Sequence, residues 1–369
     1  MALAPAHGPG LVTLAGACQP GEFVSAPSIT VRKGVFKLTE YTVQSTAETI
    51  RSGFLDPKAA PVATVASGDT VRYPHTWTHW GNEAVYGMTF ADREPLRHRY
   101  PYGPYSVMGP VEVRGAEPGD TVECTLLALK TIDWGWNSFP LGVGALPADF
   151  KEPYLHYFRF NSERTATEFV DGIQLPMAPF LGVMAAEPAG DEPVSAILTG
   201  PNGGNLVLRE LTVGSSLHLP VAKPGARIWI DDVHALQGDG VVDQTAIETA
   251  AEDIQIRYDL HKGVPLTGPL GETPDYWIGL GIADNLDDAL VACLRSLISW
   301  LHNASGISKP EAYALCSMAV SFRVTQYSHQ TASAYSATPP KIVHGMVPKR
   351  VFPDSLQRRI GAWLRPEAG

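Results

Sequence analysis

The sequence has few charged residues and no basic segment. Charged residues make up 18% of its 369 positions, below the quarter that is usual for globular proteins. No run of lysine or arginine occurs, and the formal net charge is -10. A nucleic-acid-binding protein would carry a basic face. The composition therefore argues against nucleic acid as a partner and suits a soluble cytoplasmic protein.

Several short motifs are also missing. The four cysteines, Cys18, Cys124, Cys293 and Cys316, form no C-x-x-C pair, so neither a zinc knuckle nor a dithiol redox motif is indicated. No apolar stretch approaches the roughly 18 residues that span a bilayer. No basic segment precedes the first apolar residues, and we expect no secretory signal. G-x-S-x-G, P-loop and dinucleotide fingerprints are absent, so serine nucleophilic catalysis has no local support.

Glycine and proline are abundant and dispersed, with 35 and 31 copies. Such spacing is typical of short strands joined by turns. Residues 68–73 and 119–124 each place a Gly-Asp turn before an alternating run, which predicts two strands. We expect residues 111–115 to pair with 119–124 as a hairpin. Residues 215–221 and 226–233 are predicted to form a second pair.

The last third of the chain is predicted to be helical. An apolar stripe with helical spacing runs over residues 286–301, with Asp284 as its cap. A second helix begins at Ser308, which forms a capping-box pattern with Glu311. Both helices should pack on a sheet. The predicted fold is mainly β with an α+β C-terminal part.

Three regions are expected along the chain. They are an N-terminal extension (1–30), an N-terminal β domain (31–175) and a central and C-terminal α+β domain (176–369), which carries the main site segment.

The densest polar cluster spans Asp231–Gly240, with the sequence DDVHALQGDG. Asp232 and His234 are two residues apart, so on a strand they point to the same face. Carboxylate oxygen and imidazole nitrogen both suit zinc. The glycines would let Asp239 fold back on the same site. A polar hairpin end built from turn residues explains the pattern equally well.

Three further segments carry candidate residues. Residues 75–82 combine histidines with aromatic side chains, as in a pocket wall. The glycine-rich loop 200–205 could offer amide groups to an oxyanion. The polar segment 328–349 carries His344 and could be a lid or a subunit contact. Packing histidines, an ordinary turn and a surface loop are the alternatives. The candidate substrate-binding residues are His75, His79, Trp80, Asn82, Asn202, Gly204, Asn205 and Gln237.

Eight segments, taken in order, resemble the acetamidase/formamidase family. They cover most of residues 60–350 and are found at 109–124, 146–158, 179–184, 203–221, 234–240, 245–250, 312–326 and 344–349. The resemblance implies a β-sandwich with helices packed on a sheet, and a homodimer. It also implies hydrolysis of a small amide with a divalent metal such as zinc. Asp232 and His234 are then the expected ligands, with Asp239 and His344 as further catalytic residues.

The sequence departs from the family pattern at three positions. Asn202 stands where the family has histidine, Val207 where it has aspartate and Val241 where it has glutamate. Valine cannot ligate a cation, and fewer negative charges weaken divalent-metal binding, so the metal could be absent.

Two alternatives to a metal-dependent amidase follow from these losses. In the first, the chain is a metal-free lyase, isomerase or cyclase of secondary metabolism, acting on a larger substrate. Acid–base chemistry would then fall to His75, His79, Asp232, His234 or His344. In the second, the chain only binds a ligand or partner.

Overall fold

The computed structural model describes residues 38–327 and 335–366, which belong to one compact unit. The predicted extension at residues 1–30 lies outside the described residues. No helix among the described residues is both long enough and apolar enough to cross a membrane.

Strands dominate this part of the chain, as predicted. They are β1 Glu40–Thr42, β2 Ile50–Ser52, β3 Phe54–Leu55, β4 Ala63–Val65, β5 Thr70–Pro74, β6 Ser106–Val113, β7 Thr121–Thr131, β8 Trp134–Phe139, β9 Tyr154–Arg159, β10 Ala166–Glu168, β11 Gln174–Pro176, β12 Phe180–Ala186, β13 Val194–Ser195, β14 Thr199–Gly200, β15 Gly203–Asn205, β16 Ser216–Pro220, β17 Ile228–Leu236, β18 Ile247–Thr249, β19 Ala251–His261, β20 Leu270–Glu272, β21 Tyr276–Ala283, β22 Ser321–Gln326 and β23 Lys341–Pro348.

The helices are fewer and lie mostly late in the chain. They are α1 His79–Asn82, α2 Phe90–Arg99, α3 Leu286–Ser305, α4 Lys309–Ala319 and α5 Asp354–Leu364, with a 3-10 turn at Lys349–Val351.

Two large sheets form the body of the fold. One has nine strands in the order β1-β5-β19-β7-β16-β20-β21-β23-β22. The other has ten: β14-β15-β12-β17-β18-β8-β9 form its main path, and β6 joins β17, β2 and β4. Buried aliphatic side chains from both sheets, such as Ile256 on β19 and Ile230 on β17, share one core. Burial of this apolar surface is the main stabilising contribution to a sandwich.

Helix α3 packs on the nine-stranded sheet, as predicted. Cys293, Leu297 and Leu301 on its buried face share a core with Val343 and Val347 of β23. The close approach needs glycine beneath it, since a Cβ atom at Gly279 would lie 2.5 Å from Leu297 Cδ2. The capping box of Ser308 and Glu311 is present at α4. The predicted cap of α3 is wrong by one residue, because Asn285 accepts the hydrogen bond from the Asp288 amide.

Both predicted hairpins are wrong, for a shared reason. β6 belongs to the ten-stranded sheet and β7 to the nine-stranded sheet. In the same way β16 lies in the nine-stranded sheet and β17 in the ten-stranded one. Each Pro-Gly turn therefore carries the chain across the sandwich instead of folding it back. The predicted boundary at 175–176 does not separate the sheets, because strands from both sides of it contribute to each.

Candidate active site

Four ionisable side chains meet inside the protein. Asp232 and His234 come from β17, Glu248 from β18 and His79 from the start of α1. All four are buried, with 2–7% of their surface exposed. β17 and β18 are paired, with His234 opposite Glu248. Asp232 takes a positive φ of 62° inside its strand, a conformation that aspartate tolerates better than most residues. The predicted pair Asp232–His234 therefore lies together, and Glu248 joins it.

The two carboxylates are shared by the two imidazoles. His234 Nε2 lies 2.9 Å from Asp232 Oδ2 and 3.1 Å from Glu248 Oε2. His79 Nε2 lies 3.4 Å from Asp232 Oδ1 and 3.6 Å from Glu248 Oε2. Zinc bonds of 2.0–2.1 Å in a tetrahedral site would separate neighbouring ligand atoms by about 3.3 Å. The observed separations bracket that value, and His79, Asp232 and Glu248 form a set that could hold a metal ion.

Gln237 fixes the orientation of the His234 ring. Its Nε2 donates to the Val207 carbonyl over 2.8 Å, so its Oε1 faces His234 Nδ1 at 2.9 Å. Nδ1 must then carry the hydrogen, and the neutral ring presents a lone pair at Nε2. That lone pair faces Asp232 Oδ2 and Glu248 Oε2, neither of which makes a well-aligned hydrogen bond within the described residues. Three lone pairs pointing at one another require a positive charge between them.

A proton or a cation could supply that charge. Burial lowers the pKa of His234, but Asp232 and Glu248 outweigh it and raise this pKa well above its usual range. Burial alone would raise the pKa of Asp232. The charges of His234 and His79 outweigh burial, so this pKa falls below its usual range. Among the described residues, no lysine or arginine lies within ion-pair distance of Asp232 or Glu248. Next to the cluster, burial and the Asp232 charge raise the pKa of Asp231 to about 7.

A cavity of about 80 Å³ opens beside the cluster. His79 and Glu248 line it, whereas Asp232 and His234 lie behind them. Its walls combine aromatic rings with polar side chains, namely Trp80, Tyr105, Trp136, Tyr335, Ser138, Asn205, Gln244, Thr245 and Gln326. Burial and the Asp232 and Glu248 charges raise the pKa of Tyr105 well above its usual range, so its hydroxyl stays protonated. The predicted residues His79, Trp80 and Asn205 lie in this cavity.

Other predicted residues lie elsewhere. His75 is exposed, because the backbone turns at φ 51° before His79. Asn82 is exposed, and its Oδ1 accepts the Thr78 amide. Asn202 donates to the Ala186 carbonyl. Gly204 is paired within the sheet with both Met184 and Thr199.

The glycine-rich loop is therefore sheet backbone, and the amide of Asn205 is already donated to the Leu198 carbonyl over 3.0 Å. The Asn205 amide is therefore not free to bind an oxyanion, and this prediction from the sequence is wrong.

Asp239 and His344 form a second cluster with Glu210. His344 is fully buried, and its Nδ1 lies 2.8 Å from Thr325 Oγ1. Its Nε2 lies 3.8 Å from Glu210 Oε1. Burial lowers the pKa of His344 to about 4, so the ring is neutral at neutral pH. Asp239 does not fold back on Asp232, because the turn after β17 directs it towards β22 and β23.

Val207 and Val241 are both buried and take φ values of 45° and 44°. Left-handed backbone is a rare conformation for β-branched residues. Val207 contributes to the cluster through its carbonyl, which holds Gln237. The chain retains two carboxylates in the cluster despite these valines, since Glu248, which sequence reasoning missed, stands beside Asp232.

The fold and the cluster define a β-sandwich protein with a buried carboxylate–imidazole centre at the floor of a small cavity. Residues 56–198 and 190–353 match the model of the acetamidase/formamidase family, and the chain belongs to that family. A crystal structure of an acetamidase from Bacillus halodurans has a TM-score of 0.73 at 26% identity, covering 84% of this chain and 98% of that one. One from Yersinia enterocolitica has a TM-score of 0.75 at 24% identity, covering 88% and 97%.

Matches to curated relatives are shorter. A formamidase of Methylophilus methylotrophus is 26% identical over 239 residues, which is 47% of this chain and 59% of that protein. The chain spans about half to three fifths of the length of the curated relatives it matches, 51% and 59% for two of them.

Proposed function

We propose that the cavity hydrolyses a small amide to a carboxylate and ammonia, with a divalent cation such as zinc held by His79, Asp232 and His234, which leaves a coordination position for water. The observation that carries this proposal is the convergence of His234 Nε2 and two carboxylate oxygens with no lysine or arginine within ion-pair distance among the described residues. Membership of the family supports it further, as do relatives that bear the names formamidase and acetamidase.

Each residue has a distinct task in this reaction. A bound ion would polarise the amide carbonyl and lower the pKa of a water molecule. Glu248 is the carboxylate of the cluster that also lines the cavity; it takes the proton of the attacking water and returns it to the leaving nitrogen. Tyr105 donates its hydroxyl hydrogen to the developing oxyanion. Gln237 keeps His234 in the tautomer that presents Nε2.

The names of the relatives favour hydrolysis over the lyase, isomerase or cyclase alternative. The homodimer, the cytoplasmic location, the absence of nucleic-acid partners and a place in secondary metabolism stay predictions.

The test uses the full chain loaded with zinc. We expect about one tightly held zinc ion per chain and release of ammonia from formamide or acetamide. Glu248→Gln serves as the control for contaminating amidases, since it should abolish the ammonia signal. Zinc-loaded protein that releases no ammonia from either amide would rule the proposal out.

A further inference from the structure

The turn that carries His79 has a strained backbone. The three residues that follow it, Trp80, Gly81 and Asn82, all take left-handed conformations, with φ values of 56°, 63° and 73°. Residues with a side chain rarely adopt this conformation, although asparagine tolerates it better than most. Strained backbone of this kind persists only where the surrounding structure holds it, and it is concentrated at functional sites. The contacts that hold this turn therefore decide where His79 lies.

Asn82 closes the turn through both its backbone and its side chain. Its amide donates to the Thr78 carbonyl over 3.1 Å, and its Oδ1 accepts the Thr78 amide over 3.0 Å. These two bonds tie together the residues on either side of His79, Trp80 and Gly81. An asparagine side chain that bonds nearby backbone in this way is a common means of stabilising a turn.

A neighbouring strand holds the same turn from the inside. Ser106 Oγ, on β6, donates to the Thr78 carbonyl over 2.5 Å and accepts the Gly81 amide over 3.1 Å. Ser106 is buried, whereas Asn82 is exposed. Replacing Asn82 therefore opens no hole in the core, and its effect on the turn can be tested separately from folding.

The turn sets the position of the His79 ring. The ring lies edge to face against Tyr105 and Trp136, with centroid distances of 5.4 Å and 5.1 Å. Its Nε2 lies 3.4 Å from Asp232 Oδ1 and 3.6 Å from Glu248 Oε2. A site of this kind works only when its side chains are held within about 0.5 Å of the productive geometry. Relaxation of the turn would therefore draw Nε2 away from the carboxylates.

We infer that Asn82 is a positioning residue for the cluster: its Oδ1 holds the left-handed turn that aims His79 Nε2 at the two carboxylates. The inference rests on the proposed cation site, because it states how one ligand of that site is held. Asn82 is exposed and does not line the cavity, so it acts only through His79. Zinc affinity then scales with the fraction of molecules in which the turn is formed.

Three variants of the full chain separate the acceptor from the backbone conformation. Asn82→Ala loses the acceptor and disfavours left-handed backbone, and it should weaken zinc binding about tenfold, the effect of roughly one lost hydrogen bond. Asn82→Gly loses the acceptor but keeps the conformational freedom, so its loss should be smaller. Asn82→Asp keeps both, and its affinity should stay within about twofold of the parent. Competition with a chelator measures affinity without turnover.

Asn161→Ala is the matched control. Asn161 is also exposed, its Oδ1 accepts the Thr165 amide over 2.8 Å, and its turn contains a left-handed residue, Arg164 with φ 58°. This turn joins β9 to β10, and its residues do not line the cavity. Asn161→Ala loses the same kind of hydrogen bond, but it should leave zinc affinity within about twofold of the parent.

The NMR signals of the His79 ring give a readout that needs neither metal nor turnover. Because the ring lies against Tyr105 and Trp136, its proton shifts report its position. In metal-free protein they should move in Asn82→Ala and stay in place in Asn161→Ala.

The outcomes separate the two proposals. Zinc held as tightly by Asn82→Ala as by the parent would overturn the inference, as would an equal loss in Asn161→Ala. Ring signals of His79 that do not move in Asn82→Ala would also overturn it. A parent protein that binds no zinc would refute the proposed cation site instead, and the ring signals would then decide the role of Asn82. If Asn82→Ala does not fold, Asn82→Gly replaces it.

Discussion

Two clusters of the same residue types lie in this protein, and one short segment contributes to both. Asp232 joins His79, His234 and Glu248, whereas Asp239 joins Glu210 and His344. The second cluster has its own cations, because Arg323 lies 3.5 Å from both Glu210 and Asp239. Among the described residues, no arginine or lysine lies within ion-pair distance of the carboxylates of the first cluster.

The difference teaches that residue types alone do not define a metal site. Carboxylates that an arginine already balances gain little from a cation, whereas unbalanced buried carboxylates need one. The two clusters also differ in their position relative to the cavity. His79 and Glu248 line it, but Glu210 and His344 do not. Chemistry should therefore depend on the first cluster and tolerate changes in the second.

The largest expected effect is the contrast between Asp232→Asn and Asp239→Asn. The first removes a charge from the unbalanced cluster and should lower both bound zinc and amidase kcat/KM at least about a hundredfold. The second removes a carboxylate balanced by arginines and should change either quantity less than about threefold. Metal analysis after dialysis and ammonia release measure both. Equal losses in the two variants would contradict the distinction between the clusters.

Gln237→Met should have an intermediate effect. It removes the acceptor that holds the hydrogen on His234 Nδ1, while nearly keeping the volume. Changes in such supporting contacts cost about 10- to 100-fold in metal affinity or activity. Competition with a chelator measures zinc affinity without any turnover. Gln237→Glu retains an oxygen facing Nδ1 and should rescue most of the affinity; zinc held as tightly by Gln237→Met as by the parent would show that Gln237 plays no such part.

Much of the fold could be predicted from periodicity and turn chemistry. The Gly-Asp turns before β5 and β7 and the Ser308–Glu311 capping box are local patterns, and the structure confirms them. The hairpins could not be predicted, because a Pro-Gly turn looks the same whether it returns the chain to its own sheet or carries it to the facing one. Only the packing of both sheets around one core decides this.

The candidate site could be predicted only in part, because local spacing is visible in the sequence and the pairing of strands is not. The alternation along β17 places Asp232 beside His234, and this spacing is visible in the sequence. Glu248 was missed, although an ionisable residue within the buried run Ile247–Thr249 is a signal that could have found it. Asp239 was misplaced because the register shift after His234 and the turn beyond it cannot be read from residue types.

The smallest expected effect concerns a third cluster, whose charges are fully paired. Burial raises the pKa of Glu123, but hydrogen bonds from His261 and Arg365 outweigh it, and the pKa falls well below its usual range. The pKa of Glu272 is also lowered, because His218 and Arg365 outweigh the effect of burial. A carboxyl with a lowered folded-state pKa stabilises the protein above its unfolded pKa, 4.5 for both, and the stabilisation is lost as pH falls below it.

Arg365→Met should therefore move the midpoint of acid unfolding to higher pH. Since Arg365 is 37% exposed, solvent screening limits the loss at neutral pH to about 1–2 kcal/mol. Arg323→Met is the matched control at the second cluster. Burial and the Asp239 charge raise the pKa of Glu210 in the second cluster. Glu210 therefore binds a proton more readily in the folded protein than in the unfolded one, and its protonation in acid should not destabilise the fold. Circular dichroism between pH 7 and 2 measures both midpoints, and a shift of equal size and sign in the two variants would show that the clusters do not differ in this way.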